Sequence, residues 1–134
     1  MDVDEAMIIA GVGCRKGTAA RDIEAAIAAA LAGCGISGKA LGLIATAQAK
    51  ETEPGIAAAA TVLGLRLVHV ALADLAAAEP RTLTQSQRVR HHLGVPSIAE
   101  AAALAAGGPQ ARLLAARTAV GAATCALATT EPAP

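Results

Sequence analysis

The chain contains no Phe, Tyr or Trp among its 134 residues. That absence removes the aromatic platforms on which single-stranded nucleic acid stacks. There is no excess charge to attract a polyanion either: 11 Lys and Arg balance 11 Asp and Glu, so no global field points to nucleic acid or an anionic membrane. The three cysteines, Cys14, Cys34 and Cys125, are odd in number and widely spaced, which suggests neither a disulfide framework nor a zinc site. No apolar run reaches the roughly 18 residues of a membrane span. The opening Met1-Asp2-Val3-Asp4-Glu5 is acidic where a secretory leader is basic. The expectation is a cytoplasmic protein with no nucleic-acid or membrane partner, no metal and no resident cofactor.

What is present is an aliphatic chain, 54% hydrophobic, in which Ala, Leu, Ile and Val do all the packing. Its length suits one domain, expected over 1–128, followed by a disordered tail over 129–134. Small alanines imply helices lying close to a sheet.

The organising stretch is Gly11-Val12-Gly13-Cys14-Arg15-Lys16-Gly17-Thr18, between an apolar run and an alanine-rich helical pattern. Glycines let a backbone approach a ligand closely, and the first amides of a helix lack partners and carry its positive dipole end. With Arg15 and Lys16 added, this junction reads as an oxyanion-binding loop. A purely structural role for the glycines is the alternative.

Met7 to Val12 is short, apolar and glycine-terminated, which predicts a strand buried on both faces. Ile23, Ile27 and Leu31 recur at helical spacing behind a Thr18 cap, and Gly33 and Gly35 end that helix. Ala40 to Ala45 predicts the second strand, followed by a polar loop from Thr46 to Glu53. Pro54 then opens a second helix whose inner stripe is Ile56, Ala60 and Leu63. Leu65 to Val70 predicts the third strand, with Arg66 and His69 on one polar face, and a short helix follows over 71–78.

Thr84-Gln85-Ser86-Gln87 and Ser97-Ile98-Ala99-Glu100 match the capping box and predict helix starts at Thr84 and Ser97. Strands over 112–116 and 122–127, close together around Gly121, must run antiparallel. The fold class is α/β: a three-layer α/β/α arrangement with a mixed, mostly parallel sheet of about five strands. Ligands of such sheets lie beyond the carboxyl ends of the parallel strands. That rim holds Arg15, Lys16, Thr18, Thr46, Gln48, Lys50 and Glu53.

Nucleotide motifs do not fit. Gly11, Gly13 and Gly17 place the third glycine one residue late for a dinucleotide fingerprint, and the second strand ends in Ala45-Thr46 without a carboxylate. Lys16-Gly17-Thr18 inverts the Gly-Lys order of a P-loop.

From Ile8 to Leu127 the sequence resembles the cobalamin-biosynthesis family that comprises CobE and the C-terminal domain of the cobalt-precorrin-5A hydrolase CbiG. The resemblance rests on the Gly11 to Thr18 block, on Ala45-Thr46 through Lys50 to Glu53-Pro54-Gly55, and on Ser86-x-x-Val89 leading to Gly94-Val95 and Glu100-x-x-Ala103-Leu104. It implies a precorrin or corrin intermediate as ligand and other corrin-pathway enzymes as partners. The ring's acetates and propionates would meet Gly11, Gly13, Cys14, Arg15, Lys16, Gly17, Thr18, Thr46, Lys50 and Ser86. If lactone hydrolysis occurs as in the related hydrolase, Lys16 stabilises the oxyanion and Glu53 is the general base. A non-catalytic carrier or scaffold is the alternative function, with contacts at Arg88 to His92.

Several residues carry two readings. Cys14 is either a thiolate activated by a helix N-terminus and two cations, or a small residue in a crowded turn. Lys50 and Glu53 either pair with each other or serve the site. Ser86 either caps the core or faces the rim. Glu100 is explained by its capping box, Thr124 by its strand, and His69 as a satisfied strand residue.

Overall fold

A computed structural model describes residues 7–84 and 97–131. The strands are β1 Ile8–Cys14, β2 Leu41–Ala47, β3 Arg66–Val70, β4 Arg112–Leu113, β5 Thr118–Val120 and β6 Ala123–Thr129. The helices are α1 Ala20–Cys34, α2 Pro54–Leu63, α3 Leu72–Ala78 and α4 Ile98–Gly107. Strand order is β3-β2-β1-β6-β4, with β5 also on β6. β1, β2 and β3 are parallel neighbours, and β6 runs antiparallel to β1, β4 and β5. The expected α/β class therefore holds, with six strands rather than about five.

β1 lies at the centre because both its faces are covered: Ile9, Ala10 and Val12 are wholly buried. One face packs with α1 and α2 through Ile23, Ile27, Ile44 and Ile56. The other meets α3 and α4 through Leu75, Ala103 and Leu104. Gly11 sits directly beneath α4, where a Cβ would land on the Ala99 carbonyl oxygen. The helix can approach this closely because the strand has no side chain there. Two glycines in the left-handed region, Gly35 and Gly64, end α1 and α2.

Local differences have physical causes. Thr18 does not cap α1: the cap position is Ala19, without a side-chain bond, and the Thr18 hydroxyl donates to the Arg15 carbonyl at 2.6 Å. Leu63 is 40% exposed, so the inner face of α2 is Gly55, Ile56, Ala59 and Ala60 instead. Arg66 and His69, three apart in a strand of period two, fall on opposite faces. The expected strand 112–116 stops at Leu113, and Thr118–Val120 forms the hairpin with β6 around Gly121, whose φ is 59°. β6 runs on to a buried Thr129, and the Thr130 amide bonds the Met7 carbonyl at 3.1 Å, so strand order continues into the expected tail. The helix start expected at Thr84, with Ser86, His91 and His92, lies outside the described residues apart from Thr84 itself. Among the described residues, no helix is long and apolar enough to cross a membrane.

Candidate functional site

β1 and β2 deliver two loops to the same rim: residues 15–19, and a 3-10 turn at Gln48–Lys50 leading to Glu53. Gly17, at φ 80°, lets the first loop turn so that the Thr18 amide reaches the Arg15 carbonyl at 3.2 Å. The two loops are joined by one charged bond, in which the Gly17 amide donates to Glu53 Oε1 at 2.9 Å. Gly55 brings the helices together as well, since a Cβ there would strike the Thr18 carbonyl and lie 3.4 Å from the Ala20 nitrogen. The N-termini of α1 and α2 thus lie side by side. Their positive dipole ends favour the buried Glu53 carboxylate, which is only 8% exposed.

Arg15, Lys16 and Gly17 are exposed on this rim, and Lys50 is half-buried. Among the described residues, neither Arg15, Lys16 nor Lys50 forms an ion pair, and Glu53 takes the Gly17 amide instead of pairing with Lys50. The backbone is less available than the sequence suggests. The Arg15 amide bonds the Ala122 carbonyl at 3.1 Å, and those of Gly17 and Thr18 are occupied as described. Positive charge for an incoming anion therefore comes from the three side chains and the first turns of two helices, rather than from a nest of free loop amides.

Other expected site residues are placed differently. Thr46 is wholly buried, and its hydroxyl donates to the Val12 carbonyl at 2.7 Å, tying β2 to β1. Gly11 is covered by α4, and a Cβ on Gly13 would come within 2.9 Å of Thr124 Oγ1. Thr124 in turn donates to the Gly13 carbonyl at 3.3 Å. Both glycines thus have close packing neighbours, which suits the alternative noted for them above. Ser86 lies outside the described residues.

Cys14 is half-buried beside Thr18, Lys50 and Glu53. Burial pushes its thiol pKa up; the Lys50 charge and the Thr18 hydroxyl oppose this, Glu53 adds to it, and the net shift is upward. A raised pKa keeps the thiol protonated at neutral pH, the opposite of an activated nucleophile. Cys125, wholly buried in β6, is pushed up to about 12. Iodoacetamide labelling at neutral pH, followed by mass spectrometry, is expected to alkylate Cys14 and Cys125 more slowly than an unstructured peptide thiol. Rapid labelling of Cys14 would restore the thiolate reading.

Glu100 is the residue whose role the sequence pattern misses. Its amide is capped by Ser97 Oγ at 3.2 Å, as the capping box requires, but its carboxylate does not return to Ser97. Instead Oε1 accepts from the Leu83 and Thr84 amides at 2.7 and 2.8 Å, and Oε2 from the Thr84 hydroxyl and the Arg117 amide at 2.6 and 2.9 Å. The side chain is wholly buried at the start of α4. A cavity of about 220 Å³ between α1 and β6, lined by Ala30, Cys34, Cys125 and Leu127 among others, borders none of the expected site residues.

Comparison with known proteins agrees with this architecture. The family model for the cobalamin synthesis G C-terminus matches residues 8–128. Protein CobE of a Sinorhizobium species is 33% identical over 121 residues, which span 90% of this chain and 79% of that protein. The crystal structure of a CobE from the vitamin B12 pathway superposes with a TM-score of 0.86 at 38% identity, covering 92% of this chain and 90% of the other. The cobalamin biosynthesis protein chiG of Agrobacterium tumefaciens gives a TM-score of 0.73 at 46% identity over 91% and 97% of the two chains. With a family match across nearly all of its length, the chain belongs to the cobalamin-biosynthesis family of CobE and the CbiG C-terminal domain.

Proposed function

We propose that this protein binds a carboxylate-rich precorrin or corrin intermediate at the rim formed by residues 15–18 and 48–53. One observation carries the reading: Arg15 and Lys16 are exposed and, among the described residues, have no acidic partner, beside two adjacent helix N-termini. Ring carboxylates would neutralise that charge through charge-assisted hydrogen bonds. Membership in a cobalamin-biosynthesis family supports the same ligand class. Binding ranks ahead of lactone hydrolysis because Glu53, the expected general base, is buried and gives Oε1 to the Gly17 amide. Lys16 is then a ligand for substrate charge rather than an oxyanion catalyst. The carrier reading retains the same binding rim, while its expected contact at Arg88 to His92 lies outside the described residues.

Absorbance titration of the purified protein with a late corrin precursor tests the proposal. Saturable binding is expected, and Arg15→Ala or Lys16→Ala should each weaken it by roughly 1.5 to 3 kcal/mol, about ten- to a hundredfold. No spectral change with the wild-type protein, or wild-type affinity in both variants, overturns it.

A further inference from the structure

We propose that two copies of this chain pair through the free edge of β3 and the outer faces of α2 and α3, about a two-fold axis perpendicular to the sheet. β3 ends the strand order, and among the described residues nothing pairs with its outer side. Its five residues contain no proline or lysine, its pairing with β2 shows no bulge, and Arg66 at its start is the one charged residue on it.

The flanking helices are equally bare. α2 carries no charged residue over its ten positions, and it exposes Ala57, Ala58, Thr61, Val62 and Leu63. α3 carries only Asp74 and exposes Leu72, Ala73, Ala76 and Ala77. Val62 is 66% exposed and Leu72 59%. Surface helices of a monomer normally turn charge outward, so apolar faces on both sides of one open edge mark an association surface.

The charges on this flank select a second copy as the occupant. Two β3 strands related by such an axis run antiparallel, so the start of one lies beside the end of the other. Arg66 starts β3, and Asp74 lies in the first turn of α3, just beyond the strand's end. Arg66 also shares a strand face with Val68 and Val70, which pack on the α3 and α4 side. The axis therefore brings Arg66 of each copy toward Asp74 of the other on the same side of the sheet. On the opposite side it sets two α2 helices antiparallel, with small alanines permitting close approach.

This inference is independent of the corrin reading, and solution mass tests it. Sedimentation velocity of the full chain, from low to high micromolar, should show a concentration-dependent dimer. Val62→Lys and Leu72→Asp, which are exposed and suit their helix ends, should each give a monomer with unchanged circular dichroism and melting temperature. Arg66→Asp and Asp74→Arg should each raise the dimer dissociation constant about tenfold, and the double exchange should restore it. A monomer throughout, or a dimer that survives both apolar substitutions, overturns the proposal. Failure of the double exchange to restore pairing overturns the antiparallel arrangement.

Discussion

Glu100→Ala is expected to lower stability by about 4 kcal/mol, because it orphans four donors at once. The Leu83, Thr84 and Arg117 amides and the Thr84 hydroxyl all converge on this carboxylate. They come from two chain segments, 83–84 and 117, which this one carboxylate ties to the start of α4. Glu100→Gln keeps the shape and one acceptor oxygen but points an amide group at donors, so about half that loss is expected. Urea unfolding of the three proteins measures the difference.

The pH dependence adds a second check. Burial alone would raise the Glu100 pKa, yet the Thr84 hydroxyl and the Thr84, Arg117 and Leu83 amides outweigh it and leave the pKa below its ordinary 4.5. A folded-state pKa below the unfolded one stabilises the protein in full above the unfolded value, and this contribution is lost as pH falls through the folded value. The advantage of wild type over Glu100→Gln should therefore be constant near neutrality and shrink below pH 4.5. A gap that persists undiminished in acid would mean that the carboxylate's charge is not what holds the two segments.

Glu100 also marks where sequence patterns lose their reach. Strand β1, helix α1 and the β2–α2 unit were legible because their signals are local: apolar runs, four-residue spacing, Gly35 as a stop and Pro54 as a start. The Ser97 cap was legible for the same reason, since its bond spans three residues. The carboxylate of Glu100 instead serves partners 16 and 17 residues away, which no cap motif encodes. One clue was present: Glu100 interrupts a helix face whose neighbours Ala99 and Ala101 to Leu104 are all buried. A charge at such a position requires several hydrogen-bond partners.

The rim shows the same division. The strand-to-helix junctions locate Arg15, Lys16, Lys50 and Glu53 correctly at the carboxyl ends of β1 and β2. Side-chain direction and long-range closure then remove Thr46 into the core and commit Glu53 to Gly17. Small residues were the most ambiguous signal, because a glycine near a ligand and a glycine under a helix look identical in one dimension.

Gly11 separates those two meanings experimentally. A Cβ at this position would collide with the Ala99 carbonyl oxygen and come within 2.8 Å of the Ala103 nitrogen. Both are backbone atoms of α4, so no rotamer change relieves the clash; the helix must lift from β1. Overpacking against a backbone belongs at the upper end of the usual range, and Gly11→Ala should cost about 3 kcal/mol, lowering the melting temperature by roughly 10 °C. Trimming the side chain with Ala103→Gly should not rescue it, because the carbonyl remains. Gly13→Ala meets only the rotatable Thr124 hydroxyl at 2.9 Å, so its cost should be smaller and Thr124→Ala should relieve it. If the glycines instead served close approach to a ligand, Gly11→Ala would leave the melting temperature unchanged and abolish corrin binding. Calorimetry on Gly11→Ala and Gly13→Ala, with the absorbance titration alongside, decides between a packing glycine and a binding one.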